Sequence, residues 1–153
     1  MSKLTVATLL FLGVVAGFLV WVRIAPSDPQ RWHVDPQSAA RPRSPNWAIA
    51  APGEKHEAPV YRLAAGDLAR AFDAFAAARP RTMRLAGTPE DGLMTYIVRS
   101  ARIGYPDYVS VAFIDLGEGR STLALFSRSH FGYGDQGVNR HRLAEWLKDF
   151  APA

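Results

Sequence analysis

Apolar and polar positions follow three different rhythms along this chain, and each predicts a different kind of element. From Leu4 to Val22 the run LTVATLLFLGVVAGFLVWV contains nineteen residues without a charge. As a helix it spans about 28 Å at about 1.5 Å per residue, the length needed to cross a bilayer core. A helical period returns at Leu68, Phe72, Phe75 and Ala76, spaced i, i+4, i+7 and i+8. It predicts an amphipathic helix capped by Asp67 and stopped by Pro80. The same period at Leu143, Trp146, Leu147 and Phe150 predicts a closing helix.

Between these helices the pattern is that of strands, expected at 82–86, 93–101, 107–116 and 121–129. A turn is expected at Pro89 to Gly92, and Gly117, Glu118 and Gly119 are a hairpin signal. Sequential strands joined by tight turns pair antiparallel. The predicted class is therefore α+β: an antiparallel sheet of about four strands, flanked in sequence by two helices and preceded by one N-terminal transmembrane helix.

Along Tyr108 to Leu116, neither alternating set of residues is fully polar. A strand apolar on both faces needs cover on both. Helices can supply one cover; the Trp47 segment, a partner, a lipid or a ligand are the candidates for the other.

The first 23 residues are expected to be an uncleaved transmembrane anchor. The apolar region of a signal peptide is normally about 7–15 residues and ends at a small-x-small site. Here a longer run is followed by Arg23 and Ile24. Trp21 stands where an interfacial aromatic belongs, and Gly13 and Gly17 form a GxxxG pair that could support a weak homodimer. Orientation is open from charge alone. Lys3 before the run and Arg23, Arg31 and Arg41 after it favour a cytoplasmic domain, whereas the short basic N-terminal region resembles an N-in, C-out signal anchor.

Seven of the eleven prolines fall between Arg23 and Pro59. That density predicts an extended, Pro-rich juxtamembrane tether over 24–43, with His33 and His56 inert. The domain itself is expected over 44–153, with Ser44 to Ala50 lying against it.

Composition narrows the chemistry. The chain has no cysteine, so disulfides, thiolate metal sites and thiol nucleophiles are excluded. The 18 Lys and Arg exceed the 14 Asp and Glu, giving a net charge of +4. Residues 1–43 carry +3 of it, so the domain is nearly neutral and the excess sits beside the membrane. That placement suits anionic lipid and argues against nucleic acid as a partner.

Within the domain the charge is uneven. Residues 120–142 gather Arg120, Arg128, Arg140 and Arg142 against Asp135 alone. Arg140 and Arg142 fall in the first turn of the closing helix, where the macrodipole disfavours cations; Asp135 or Asn139 can cap that helix. Two readings follow. In one, Asp135, Asp107 or Asp115 pairs with these arginines and pins the loop. In the other, Arg128, Asp135, Asn139, Arg140 and Arg142, with Arg99 from a neighbouring strand, line a corner that receives a carboxylate or phosphate.

Enzyme readings are weaker. Ser127 or Ser129, His130 and Asp135 supply triad residue types without a nucleophile elbow. His130 and His141 lack a recognised ligand spacing, and there is no phosphate or dinucleotide loop. No metal or cofactor is expected, and the reading leans away from an enzyme.

The run STLALFSRSHFGYGDQGVNRHRLAEWL, with PDYV at 106–109 and SPN at 44–46, resembles the bacterial and plastid domain-of-unknown-function family fourteen ninety-nine. The resemblance covers about residues 44–150 and implies that Arg128, Asp135, Asn139 and Arg140 belong to the family's signature. It supplies no activity. Many members look like exported proteins or lipoproteins, which implies an extracytoplasmic domain here. This chain has Trp47 where some members carry a cysteine after SPN.

The resulting expectation is a single-pass protein of the bacterial inner membrane with a periplasmic, non-catalytic binding or interaction module. Its partners would be membrane lipid, through the N-terminal helix, and an anionic small molecule, lipid or envelope protein. The alternatives are a hydrolase using the Ser127 to Arg142 loop and a purely structural envelope protein.

Overall fold

A computed structural model describes residues 2–152; Met1 and Ala153, the outer ends of the expected anchor and domain, lie outside the described residues. Helix α1 (Lys3–Ile24) is followed by the one-turn α2 (Pro29–Trp32), strand β1 (Trp47–Ala50) and helix α3 (Ala65–Ala77). Then come β2 (Thr82–Ala86), β3 (Leu93–Arg99), β4 (Pro106–Gly117), β5 (Arg120–Ser129) and α4 (Val138–Asp149). The strands form one antiparallel sheet in the order β1-β5-β4-β3-β2.

The α+β class is as expected, with five strands in place of four. The added strand is β1, which pairs Trp47 with Arg128 and Ala50 with Leu125 along the free edge of β5. Helix α3 begins two residues before Asp67, whose carboxylate lies in the first turn and pairs with Arg70. An acid is favoured at the cap and throughout the first turn, so its presence does not fix the boundary.

Helices α3 and α4 cover the same face of the sheet. Leu68, Phe72, Leu143, Trp146 and Phe150 pack there on Met94, Tyr96, Val109, Val111, Leu123 and Leu125. Phe72 is the centre, with its ring 5.0–6.2 Å from those of Phe75, Tyr96, Phe113, Trp146 and Phe150.

The opposite face is covered by the segment expected to be an extended Pro-rich tether. Asp28 accepts a hydrogen bond from the Gln30 N–H and Pro29 opens α2, where its missing N–H costs nothing. The turn delivers Trp32 to the sheet, where it is buried and stacks on Tyr108. Below it runs a polar seam. His33 Nδ1 lies 3.0 Å from Thr95 Oγ1, which lies 3.0 Å from Ser110 Oγ, and Ser110 donates to the Trp32 carbonyl at 3.1 Å. His33 is therefore built into the domain. The prolines prevent a long helix but leave a one-turn helix and a folded cover.

Helix α1 is long and apolar enough to cross a membrane, a property that an N-terminal signal sequence would share. Its last turns touch the domain, with Trp21 against Phe131 and Phe18 against Tyr105. Gly13 and Gly17 face open space.

Candidate functional site

The loop from β5 to α4 is held by an interior hydrogen-bond network centred on Asn139, which is fully buried. Its Oδ1 accepts from Ser127 Oγ at 2.6 Å and from Arg142 Nη1 at 2.8 Å. Its Nδ2 lies 2.9 Å from the Asn46 carbonyl, 2.9 Å from Ser129 Oγ and 2.8 Å from Asp135 Oδ2. The SPN turn, the end of β5 and the start of α4 are thereby tied at one point.

Arg142 completes this network. Its Nη2 is 2.6 Å from Asp107 Oδ2, with both side chains almost wholly enclosed. Its Nη1 also donates to Ser127. This is the carboxylate pairing expected for the region, made by Asp107; Asp115 instead accepts from the Gly117 N–H in the hairpin turn.

Asp135 accepts from the backbone N–H groups of Gly137 and Asn139 at 3.0 and 2.8 Å. Partial burial alone would raise its pKa, but these hydrogen bonds and the one from the Asn139 side chain outweigh it and hold the carboxyl below the usual range. The anion at the α4 N-terminus is therefore Asp135 itself. Gly137 takes the left-handed conformation at this helix start, with φ of 81°.

Arg128 does not share this corner. Side chains alternate along a strand, and Arg128 points to the face opposite Ser127. It pairs with Tyr108 across the sheet and lies beneath the Trp32 cover. Its Nη2 donates to the Trp32 carbonyl and to Ser110 Oγ, both at 2.8 Å, while its buried Nε has no partner. The guanidinium also lies 4.5 Å from the Phe126 ring centroid. Desolvation lowers its pKa to about 10, which leaves it charged at neutral pH. Its place in the fold is as a latch for the segment that carries α2.

The other three expected arginines do come together. Arg99, Arg140 and Arg142 line a cleft of about 770 Å³ between the start of α4 and the Arg79 to Thr82 turn, joined by Arg79 and Arg81. Arg79 pairs with Asp149 and Arg142 with Asp107. Arg81, Arg99 and Arg140 have no carboxylate partner among the described residues. Arg81 Nε donates to the Arg99 carbonyl at 3.2 Å and Arg99 Nη1 to the Gly104 carbonyl at 3.0 Å, which orders both side chains without neutralising them. Arg81 and Gln136, both lining the cleft, have left-handed φ values of 57° and 53°. Backbone held in that region is a recurrent feature of ligand sites.

Arg79 and Arg81 were absent from the expected set. The structure pairs Thr82 of β2 with Val98 of β3, which makes Arg81 and Arg99 neighbours; the sequence signal for this was the pair of expected strands, 82–86 and 93–101, on either side of a turn.

The triad residue types are not assembled. Ser127 Oγ is engaged with Asn139 and Arg142, and Asp135 with the α4 N-terminus. His130 Nδ1 faces Tyr108 Oη at 3.1 Å, and its ring stacks on Phe131. Burial, assisted by Arg31, pushes the His130 pKa down.

The family model described as protein of unknown function (DUF1499) matches residues 24–150, and the chain belongs to that family. The match begins at the end of α1 and takes in the α2 segment. No curated protein and no solved structure matches the chain.

Proposed function

We propose that this member of the DUF1499 family is a membrane-anchored, non-catalytic binding module whose α4 cleft receives a carboxylate or phosphate group at the membrane surface. The observation that carries the reading is the grouping of Arg81, Arg99 and Arg140 in one cleft, none of them paired with a carboxylate; Glu145, which also lines the cleft, lies 3.3 Å from His141 instead. Three like charges brought together raise one another's energy, and a bound anion removes that cost. Forked guanidinium groups suit the two oxygens of a carboxylate or phosphate. Ser100 and Ala101 form one wall of the cleft, and the loop they begin meets Arg23 at the end of α1 through the Arg102 carbonyl. The ligand is therefore either a lipid headgroup or a free anion near the bilayer.

The test is a thermal shift of the full chain in neutral detergent. Inorganic phosphate is added in one arm, and phosphatidylglycerol or phosphatidylcholine micelles in the others. Either phosphate or phosphatidylglycerol should raise the melting temperature of the native protein, and phosphatidylcholine should not. The triple variant Arg81→Gln, Arg99→Gln, Arg140→Gln should lose the response while still unfolding cooperatively without ligand, since Arg81 and Arg140 are exposed and half-buried Arg99 gives up one hydrogen bond to the Gly104 carbonyl. Equal stabilisation of both proteins would overturn the reading, and a response to phosphatidylglycerol alone would identify a headgroup as the ligand.

The same proposal puts α1 across the bacterial inner membrane and the domain in the periplasm. The short basic N-terminal region and the exported character of similar proteins support that orientation. An active alkaline phosphatase fused to the C-terminus is the expected result; an inactive fusion in intact cells would reverse it.

A further inference from the structure

Contacts between α1 and the domain fix how deeply the domain meets the bilayer. The apolar run from Leu4 to Val22 amounts to about 28 Å of helix against a hydrocarbon core about 30 Å thick. There is no slack, so a helix that crosses must keep Phe18 and Trp21 within the membrane. Yet the Phe18 ring lies 6.5 Å from that of Tyr105, and Trp21 lies 5.1 Å from Phe131. Val22 is completely enclosed. Phe18 lies about 9 Å below Ile24 along the helix axis. The domain therefore does not begin where the helix ends; its rim reaches more than a turn down the flank of α1.

Taking α1 as a membrane span, on which this rests, we infer that the rim formed by Tyr105 and the Phe131 to Tyr133 loop is immersed in the leaflet beneath the domain. The occupant of this aromatic surface is the bilayer itself, because the surface is continuous with the spanning helix. Tyr105 and Phe131 pack on each other, with ring centroids 5.7 Å apart, and Tyr133 beside them is 77% exposed. Rings of this kind are favoured at the level of lipid headgroups.

The charges around the rim agree with that placement. Residues 100–105 and 130–134 contain no Asp or Glu. The next acids along the chain, Asp107 and Asp135, border the cleft beside Tyr105 and Phe131 but are engaged there, Asp107 by Arg142 and Asp135 by the α4 N-terminus. Arg23 and Arg102 stand at the same level, with Arg23 Nη2 3.4 Å from the Arg102 carbonyl. There they can meet lipid phosphates. The domain lies on the membrane, held by contacts along one flank of its anchor.

The absence of cysteine allows a direct test by spin labelling of single-cysteine variants of the full chain in phosphatidylcholine–phosphatidylglycerol nanodiscs. Labels are placed at Tyr133→Cys, at Glu118→Cys on the remote β4–β5 hairpin, and at Leu12→Cys within α1. The label at 133 should collide several-fold more with oxygen, relative to a water-soluble nickel chelate, than the label at 118. The label at 12 should show the strongest preference for oxygen. A label at 133 as open to nickel as that at 118, with residue 12 protected, would overturn the immersion while sparing the anchor. Nickel access at 12 as well would mean that α1 does not span, and both readings would fall.

Discussion

Trp32 lies flat on Tyr108, with ring centroids 3.9 Å apart and planes 11° from parallel. Together with Ile97 they form the buried cluster on the second face of the sheet, with Tyr108 fully buried and Trp32 nearly so. The segment between α1 and β1 is thus a structural part of the domain. Trp32→Ala should lower the unfolding free energy by about 3–5 kcal/mol, the range for truncating a buried aromatic. Chemical denaturation in detergent measures the loss. Limited trypsin digestion of the folded Trp32→Ala variant should also begin to cut after Arg31 and Arg43; continued resistance there would mean that the segment is held by something other than this stack.

The Arg142–Asp107 pair is enclosed by protein, so removing one partner strands the other. Arg142→Met or Asp107→Asn alone should cost about 3–5 kcal/mol. The double variant should cost clearly less than the sum, because no uncompensated charge remains. A double-mutant cycle by denaturant unfolding gives the coupling, and additive losses would contradict the pairing.

Acid should loosen the start of α4. The carboxyl of Asp135 titrates lower in the folded protein than its usual value of 3.8. Its contribution is therefore complete above that value and is lost as pH falls through the lower folded value. Melting temperature followed from about pH 5 to pH 2 should show a shallower acid decline in Asp135→Asn than in the native protein.

His130 supplies a second step at higher pH. Burial among aromatic rings lowers its pKa below 6.5, so the folded state prefers the neutral ring while the unfolded chain accepts a proton. The stability it contributes is complete above pH 6.5 and falls as pH drops toward the folded value. Stability measured in small steps downward from neutrality should show this decline, and His130→Gln should remove it.

Much of the scaffold was legible in the residues. Phe72 and Phe75, and Trp146 with Phe150, keep a helical period that has only one apolar face to offer. The Gly117 to Gly119 turn joins β4 to β5 and thereby sets their register. Strand alternation alone places Ser127 and Arg128 on opposite faces, so one corner could not have held both. The short strand β1 was harder to see, because four residues, WAIA, become a strand only when the β5 edge supplies their hydrogen bonds. The same holds for α2. Its Asp28-Pro29 start is a capping signal, but one turn of helix is unstable without the sheet to receive Trp32.

What the sequence determined by itself was local: a charge-free helix of membrane length, two amphipathic helices, the strands and their turns. These follow from periodicities of 3.6 and 2, which a chain expresses over a few neighbouring residues. Only the tertiary structure decided how the arginines divide. Arg142 meets Asp107 across 35 residues of chain, Arg128 meets the Trp32 carbonyl across 96, and Arg81, Arg99 and Arg140 share one cleft with none of them in an ion pair. Those partnerships depend on sheet register and on which face the α2 segment covers. Hydrophobic patterning specifies that a face must be buried, but not which distant part of the chain buries it.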